Sequence, residues 1–549
     1  MRWEKTRAAR SLEFIERRRG CASERSAPSP CSHSRLSLVS QQHPFAVTHL
    51  RSVVILVADG ARPDTLAAAI ARGDLPAMAA LAQEGHLATV AASFPSVTGV
   101  AYAPFLVGRF PGPIGLPGLR WYDRTRAAGT FLGSSRSYVG AEMRWLDGDI
   151  DPQAPTIFEL APSSLGALSM IRRGLPPKGR IGRGAGFALR AALTHFSGDL
   201  SGWLEIDRGM AGKVVRRLRH ERPAFTFAAF TGVDKTSHAC GHDAPIVLDA
   251  LRIVDDCAAE IRRDAERLGH WNDMQLWVVS DHGHSRVSRH DDLADWVRSL
   301  GLTTRAHPWV ITGGADVAVL PSGNAMAHLY LELERRVRPF WPELKARWEP
   351  FVEQLLERPS VDLVVLSHSS TECEVRSHAR GSARIVRHGD RYSYRPDSGD
   401  PLGVGTVEEA GTTEAFEVAE HSDYPDAIVQ IANLAGSSRS SEVIVSAKRD
   451  WDLRQRYEPI PHVSAHGALH REHMLVLLLT NRPTARRPTR TVEVMPRRCA
   501  RLAYPCQQRS TARRSCSSVH DGDRAPSPRS TSIRCPLPPA RVIHEEEAS

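Results

Sequence analysis

The feature that most constrains this chain is an unbroken apolar run, Ser52-Val53-Val54-Ile55-Leu56-Val57-Ala58, closed by Asp59-Gly60. With no polar alternation and a β-branched majority, it reads as a strand buried on both faces, so layers must cover it on either side. Behind it Leu66, Ile70, Leu75, Met78 and Leu81 recur at helical spacing between Pro63 and Glu84, and Gly85 supplies a stop. Strand then helix is how a doubly wound, mostly parallel α/β sheet begins.

The alternation returns downstream. Phe225 to Phe230 is a short apolar strand ending near Asp234. Ile246 to Leu268 is amphipathic, and Met274 to Val279 is another buried strand, running into Ser280-Asp281-His282. Further strands are expected at Val317–Leu320, Val443–Ser446 and Met474–Leu479. Several strands that deliver Asp or His at their C-terminal ends point to one site there, the edge at which open α/β sheets place ligands.

Composition separates the ends from the middle. Of the formal charge of +9, residues 1–50 carry +5 and residues 497–549 carry +5, which leaves the middle at −1. The folded part therefore has no global cationic field, and nucleic acid is an unlikely partner. Six of the nine cysteines also lie in those ends. The three that remain, Cys240, Cys257 and Cys373, are too dispersed for a disulfide framework or a Cys-x-x-Cys zinc site, so any metal must be held by His and carboxylate. There is no run of about 18 apolar residues and no apolar core behind the basic start; neither a membrane span nor a signal peptide is expected, and a cytoplasmic location is.

Residues 1–47 are expected to be a disordered basic tail, 48–496 a catalytic domain, and 497–549 a disordered or frame-shifted tail. Within the domain, two stretches read as cap insertions, about 124–222 and 322–440. The second is expected to hold helices near Met326–Glu357 and an exposed His-, Ser- and Arg-rich loop at 367–395.

The chemistry lies in polar residues that follow buried strands: Asp59, Asp234 with His238 four residues on, Asp281-His282, and His466 in a Ser-Ala-His-Gly turn. Three carboxylates and three imidazoles suit two divalent ions, since zinc accepts both nitrogen and oxygen and keeps open positions for substrate. Such a pair, about 3.5–4 Å apart, clamps an in-line phosphoryl displacement. The loop Phe94-Pro95-Ser96-Val97-Thr98-Gly99 leads into an apolar stretch, Val100 to Val107, expected to be helical, and places a hydroxyl at its start. Each residue alone has a plainer reading: Asp59 or Thr98 as a helix cap, Asp234 and His238 as a solvated pair, His466 as a structural histidine. His284, His290 and His242 lie near these motifs as orienting groups or surface residues.

Taken in order, Ala58-Asp59-Gly60, Phe94-Pro95-Ser96-Val97-Thr98, Gly108-Arg109-Phe110-Pro111, Asp234-x-x-x-His238, Ser280-Asp281-His282-Gly283 and His466-Gly467 resemble the nucleotide pyrophosphatase/phosphodiesterase family of the alkaline phosphatase superfamily. The resemblance implies an alkaline phosphatase-like fold and two Zn2+ ions, one on Asp234, His238 and His466, the other on Asp59, Asp281, His282 and Thr98. It also implies that Thr98 attacks phosphorus to give a phosphothreonine, with a small phosphorylated substrate. Leu119 stands where the family usually has an Asn that holds a phosphate oxygen, with Arg120 beside it. Phosphomonoesterase, phosphonate hydrolase and a degenerate metal-binding protein therefore remain alternatives, whereas a sulfatase is disfavoured because no Cys-x-Pro-x-Arg sequence is present.

Overall fold

The computed structural model describes residues 51–126, 135–307, 314–453, 462–484 and 486–495. The expectations for the two tails lie outside these residues.

The opening strand, Ser52–Ala58, is buried along its whole length and lies at the middle of a seven-stranded sheet. The sheet runs His86–Ala91, Leu475–Thr480, Met274–Val279, Ser52–Ala58, Phe225–Phe230, Ser164–Ala167, Arg180–Ile181. Val57 is paired with Ala229 on one side and Val279 on the other, both in parallel register. Leu475–Thr480 alone runs against its neighbours. The strand's period of two sorts its residues into two cores. Val53, Ile55 and Val57 pack with Val97, Val100 and Tyr102; Val54, Leu56 and Ala58 pack with Leu66, Met78, Val247 and Val254 of the covering helices. Each fully buried Val, Ile or Leu contributes about 1.5–3 kcal/mol relative to exposure, which fixes the strand ends and the polar residues just beyond them.

A second sheet of nine strands runs Thr304–Ala306, Val317–Ser322, Met326–Leu331, Val443–Ala447, Val361–Ser367, Glu372–Ser377, Gly381–His388, Arg391–Gly399, Val407–Gly411, antiparallel except for its first pair. The helix Ala427–Ala435 covers one face, and the helix Trp341–Leu356 covers the other. A buried ion pair ties this sheet to the segment after Tyr122, where Arg124 Nη2 donates to Glu442 Oε2 at 2.8 Å.

Several expectations need correction. Pro63 to Glu84 forms two helices, Pro63–Ala71 and Pro76–Glu84, because Gly73 turns at φ +79° and Pro76 starts a new helix. Val100 to Val107 is a 3-10 turn, Val100–Tyr102, followed by the five-residue helix Ala103–Val107. The stretch 124–222 is not wholly an insertion, since Ser164–Ala167 and Arg180–Ile181 extend the central sheet in parallel register. Met326–Leu331 is a strand, and the helix starts only at Trp341. The 367–395 segment is sheet rather than loop: Cys373, Val375, Ile385 and Tyr394 turn into the core, while Arg384 and Arg395 are exposed and Glu374 is buried in an ion pair with Arg376.

Candidate active site

Three parallel strands end side by side, and each hands over to polar residues at the same edge. Asp59 follows Ala58, and its N–H donates to Phe230 O at 3.1 Å, one position beyond the ladder. The chain then turns through Gly60 at φ +77°, where a Cβ would come within 2.9 Å of the His284 ring, so only glycine fits. Phe225–Phe230 leads into the helix Gly232–Cys240, whose i, i+4 spacing sets Asp234 and His238 on one face. Met274–Val279 leads into Ser280, Asp281, His282, Gly283 and His284. His466 arrives from a distant loop held by the second sheet, with Ala325 N donating to its carbonyl at 3.0 Å.

The seven residues singled out in the sequence meet at this edge. Thr98 Oγ1 donates to Asp59 Oδ1 at 3.1 Å and lies 3.1 Å from His282 Nε2. His282 Nε2 is 3.2 Å from Asp59 Oδ1 and 3.7 Å from Asp281 Oδ2. Tyr102 donates its phenol to Asp59 Oδ2 at 2.9 Å, and Gly60 N donates to Asp281 Oδ1 at 3.3 Å. On the other side, Asp234 Oδ1 lies 3.2 Å from His238 Nε2 and 3.6 Å from His466 Nε2. The two halves touch through the rings of His282 and His466, stacked 3.7 Å apart at 7°. Asp59, Asp281 and His282 are fully buried, and Asp234 nearly so.

Sequence reasoning undervalued His284. It is fully buried, and its Nε2 is 3.0 Å from Asp234 Oδ1. The sequence signal was its place two residues beyond His282, straight after a buried strand. His290 and His242 lie outside the cluster, as do His368, His378 and His388; His290 pairs with Asp452, His368 with Glu374 and His388 with Glu409. Leu119 is fixed by its backbone, its N–H donating to Ser322 Oγ at 2.7 Å and its carbonyl accepting from Tyr138 N. Arg120 is buried on the short strand Arg120–Tyr122.

Electrostatics show what this cluster demands. His238 Nδ1–H donates to Ser464 O, His466 Nδ1–H to Ser96 O, and His284 Nδ1–H to Ser464 Oγ, a hydroxyl that itself donates to Ser285 O. Each imidazole thus turns its Nε2 lone pair toward Asp234 Oδ1. Three lone pairs around an anionic oxygen repel one another unless a cation sits among them. Burial drives His284 down to about 3 and His466 well below its ordinary value, which keeps those rings neutral and able to donate lone pairs. Burial opposes ionisation of Asp234, but the Lys235 ammonium beside it leads the influences that hold the carboxyl well below its usual range. Asp281 is pushed the other way, by burial and then by the charge of Asp59, and its Oδ2 is a buried oxygen with no hydrogen-bond partner. Burial lowers His282, yet Asp281 and Asp59 raise it to about 9. The charge of three buried carboxylates is thus balanced by the Lys235 ammonium and by protons held on His282 and Asp281, protons that bound cations would replace. Two overlapping sets bring their ligand atoms within 4.8 Å of one another, close enough to share an ion: Asp234, His282, His284 and His466, and Asp59, Asp281 and His282.

The model of the type I phosphodiesterase/nucleotide pyrophosphatase family matches residues 53–469, a span from the opening strand to the residues just past His466. The chain belongs to this family. It is thereby a member of a metal-dependent class of phosphoric ester hydrolases. Among solved structures, phosphonoacetate hydrolase from Sinorhizobium meliloti 1021, in complex with phosphonoacetate, is 14% identical with a TM-score of 0.50; the match covers 83% of this chain and 95% of that one. Human ectonucleotide pyrophosphatase/phosphodiesterase 5 is also 14% identical with a TM-score of 0.50, over 82% of this chain and 94% of that one. At such identity these two show the shared alkaline phosphatase-like fold alone. No curated protein sequence matches. Among the described residues of this phosphodiesterase-family chain, no helix is long and apolar enough to cross a membrane.

Proposed function

We propose that this chain hydrolyses phosphodiester or pyrophosphate bonds of a small phosphorylated substrate, with nucleotides as the first class to test, using Thr98 as nucleophile beside two divalent ions. The observation that carries the reading is the arrangement of three imidazole lone pairs around Asp234 Oδ1 next to the unpartnered Asp281 Oδ2. One ion would be held by Asp234, His238 and His466, with His284 as a further ligand or orienting ring. The other would be held by Asp59, Asp281, His282 and Thr98. Mixed nitrogen and oxygen donors favour zinc. When bound, the ions would lower the Thr98 hydroxyl pKa and neutralise charge on the phosphate.

The protein's own residues do the rest. Asp59 accepts the Thr98 hydroxyl hydrogen bond and so fixes the rotamer from which oxygen attacks. Tyr102 holds the second oxygen of Asp59; burial and that carboxylate keep its phenol protonated and donating. Gly99, at φ +84° and with Met170 where a Cβ would stand, lets the chain turn so that Thr98 is partly exposed above the cluster. Attack by Thr98 Oγ1 on phosphorus expels the leaving group and gives a phosphothreonine, which water then cleaves.

A second reading is hydrolysis of phosphomonoesters or phosphonates. Leu119 favours it, because an apolar side chain offers nothing to the phosphate oxygen that the family's Asn would hold. Turnover of the nitrophenyl ester of thymidine monophosphate and of nitrophenyl phosphate, measured side by side on wild type and Thr98→Ala, separates the readings. Faster diester turnover, lost in Thr98→Ala, supports the first. Activity on neither substrate with metal bound would leave a degenerate metal-binding protein.

A further inference from the structure

Asp234 offers the cluster one oxygen and not two. Its Oδ2 accepts from Lys235 Nζ at 2.9 Å, so the ammonium on the next residue of the same helix closes that oxygen to a metal ion. The imidazoles gather at Oδ1 instead. The nearest of them is neither of the two that the family pattern places on this ion: His284 Nε2 lies 3.0 Å from Oδ1, against 3.2 Å for His238 and 3.6 Å for His466. His284 is also the most deeply buried of the three.

The surroundings fix which nitrogen of His284 faces inward. Its Nδ1–H goes to Ser464 Oγ at 3.1 Å, and that hydroxyl spends its own hydrogen on Ser285 O at 2.9 Å, so Nε2 carries a lone pair. The lone pair therefore meets a carboxylate oxygen with no hydrogen between them. Gly60 makes room for this edge of the ring, since a Cβ there would come within 2.9 Å of both Cδ2 and Nε2. The ligand atoms of Asp234, His284 and His466 all lie within 4.8 Å of one another. His282 shares that set, but its Nε2 is 3.2 Å from Asp59 Oδ1 and 3.1 Å from Thr98 Oγ1, which assigns it to the other ion.

We infer that His284 is a ligand and not an orienting ring, so that the ion at Asp234 is held by four protein atoms: Asp234 Oδ1 and Nε2 of His238, His284 and His466. The inference rests on the two-ion reading above and departs from the three-ligand set that the family pattern implies. One carboxylate oxygen and three imidazoles complete a tetrahedron about zinc, the closed arrangement of sites that keep their ion, whereas three protein ligands leave a position to water or substrate. Lys235 serves this shell, because an Asp234 free to chelate through both oxygens would crowd out the fourth side chain. The other half, with Asp59, Asp281, His282 and the Thr98 hydroxyl, offers a single nitrogen. Zinc fills the imidazole-rich half first, and supply of the second ion sets activity.

The test is zinc-edge X-ray absorption of the full chain, stripped with chelator and reloaded with one equivalent of zinc, beside zinc affinity measured against a chromophoric chelator. Wild type is expected to show three imidazoles on that zinc, and to turn over a nitrophenyl ester only as a second equivalent is added. His284→Ala and the bulkier His284→Gln should each show two imidazoles. Both should bind the first equivalent about 100-fold or more less tightly, at or beyond the upper end of what losing an orienting partner costs. Ser464→Ala, which frees the ring without removing it, should keep all three imidazoles. Near-ultraviolet circular dichroism in chelator shows that the variants fold. Two imidazoles in wild type would overturn the proposal, as would one imidazole, the mark of the other half filling first, or wild-type affinity in both His284 variants. Each of these leaves the two-ion reading standing. A chain that takes up no zinc at all would overturn both.

Discussion

The effect of Asp281→Asn on stability depends on metal, and the structure says why. The variant keeps the oxygen that accepts from Gly60 N, and it replaces the orphan Oδ2 with an amide group facing Asp59 and His282. Without metal it removes a buried carboxylate that Asp59 already repels, and relieving one unsatisfied buried group is worth about 1–3 kcal/mol. For a folded part of this length the unfolding entropy is about 0.9 kcal/mol/K, so the metal-free variant should melt roughly 1–3 °C above wild type. Metal works against the variant, because the amide is a poorer ligand. A loss of about 100-fold in affinity removes about 2.7 kcal/mol of the stabilisation that saturating ion gives to the folded state, so adding metal should lower the variant's melting point by about 3 °C relative to wild type and cancel or overturn its metal-free advantage. Thermal unfolding of both proteins, in chelator and in excess zinc, reads all four values. A difference from wild type that zinc leaves unchanged would refute the reasoning that Asp281 Oδ2 waits for a cation.

Thr98→Ala should retain bound metal while turnover falls by about three orders of magnitude or more, and Thr98→Ser should recover part of it; kcat and metal content measured together check this. Arg490, buried and bonded to both oxygens of the buried Asp426, pins the last described segment to the second sheet's covering helix. Arg490→Ala strands that carboxylate and should cost about 3–5 kcal/mol in denaturant unfolding. His328 donates Nε2–H to Pro117 O and meets Ser441 Oγ with Nδ1, and burial holds it near 4. Its unfolded form takes up a proton from about pH 6.5 downward while the folded form resists until about 4. Stability should therefore fall by about 3 kcal/mol as pH drops through that window, and the slope should be shallower in His328→Gln.

The site was legible because it is built on strand ends. Ser52–Ala58, Phe225–Phe230 and Met274–Val279 are continuous apolar runs, and each stops where the chain leaves the sheet, so the next polar residues had to share an edge. Less legible were elements whose identity depends on distant partners. Met326–Leu331 is buried on both faces and so lacks the alternation that separates a strand from a helix. Arg180–Ile181 is two residues long and becomes a strand only by pairing with Gly166 and Ala167. The 367–395 segment did carry a period of two, with Cys373 and Val375 inside and Glu372 and Arg376 less buried, but its His, Ser and Arg content masked it. His284 was missed as a member of the cluster because Ser464, which orients its ring, lies 180 positions away.

Metal analysis of the purified full chain, after gel filtration, tests the central claim most directly. The expected result is two zinc ions per chain in wild type and a single ion in either Asp281→Asn or His466→Ala, since each variant damages a different half of the cluster. A chain that holds no tightly bound ion and still turns over a phosphoester in excess chelator would contradict it.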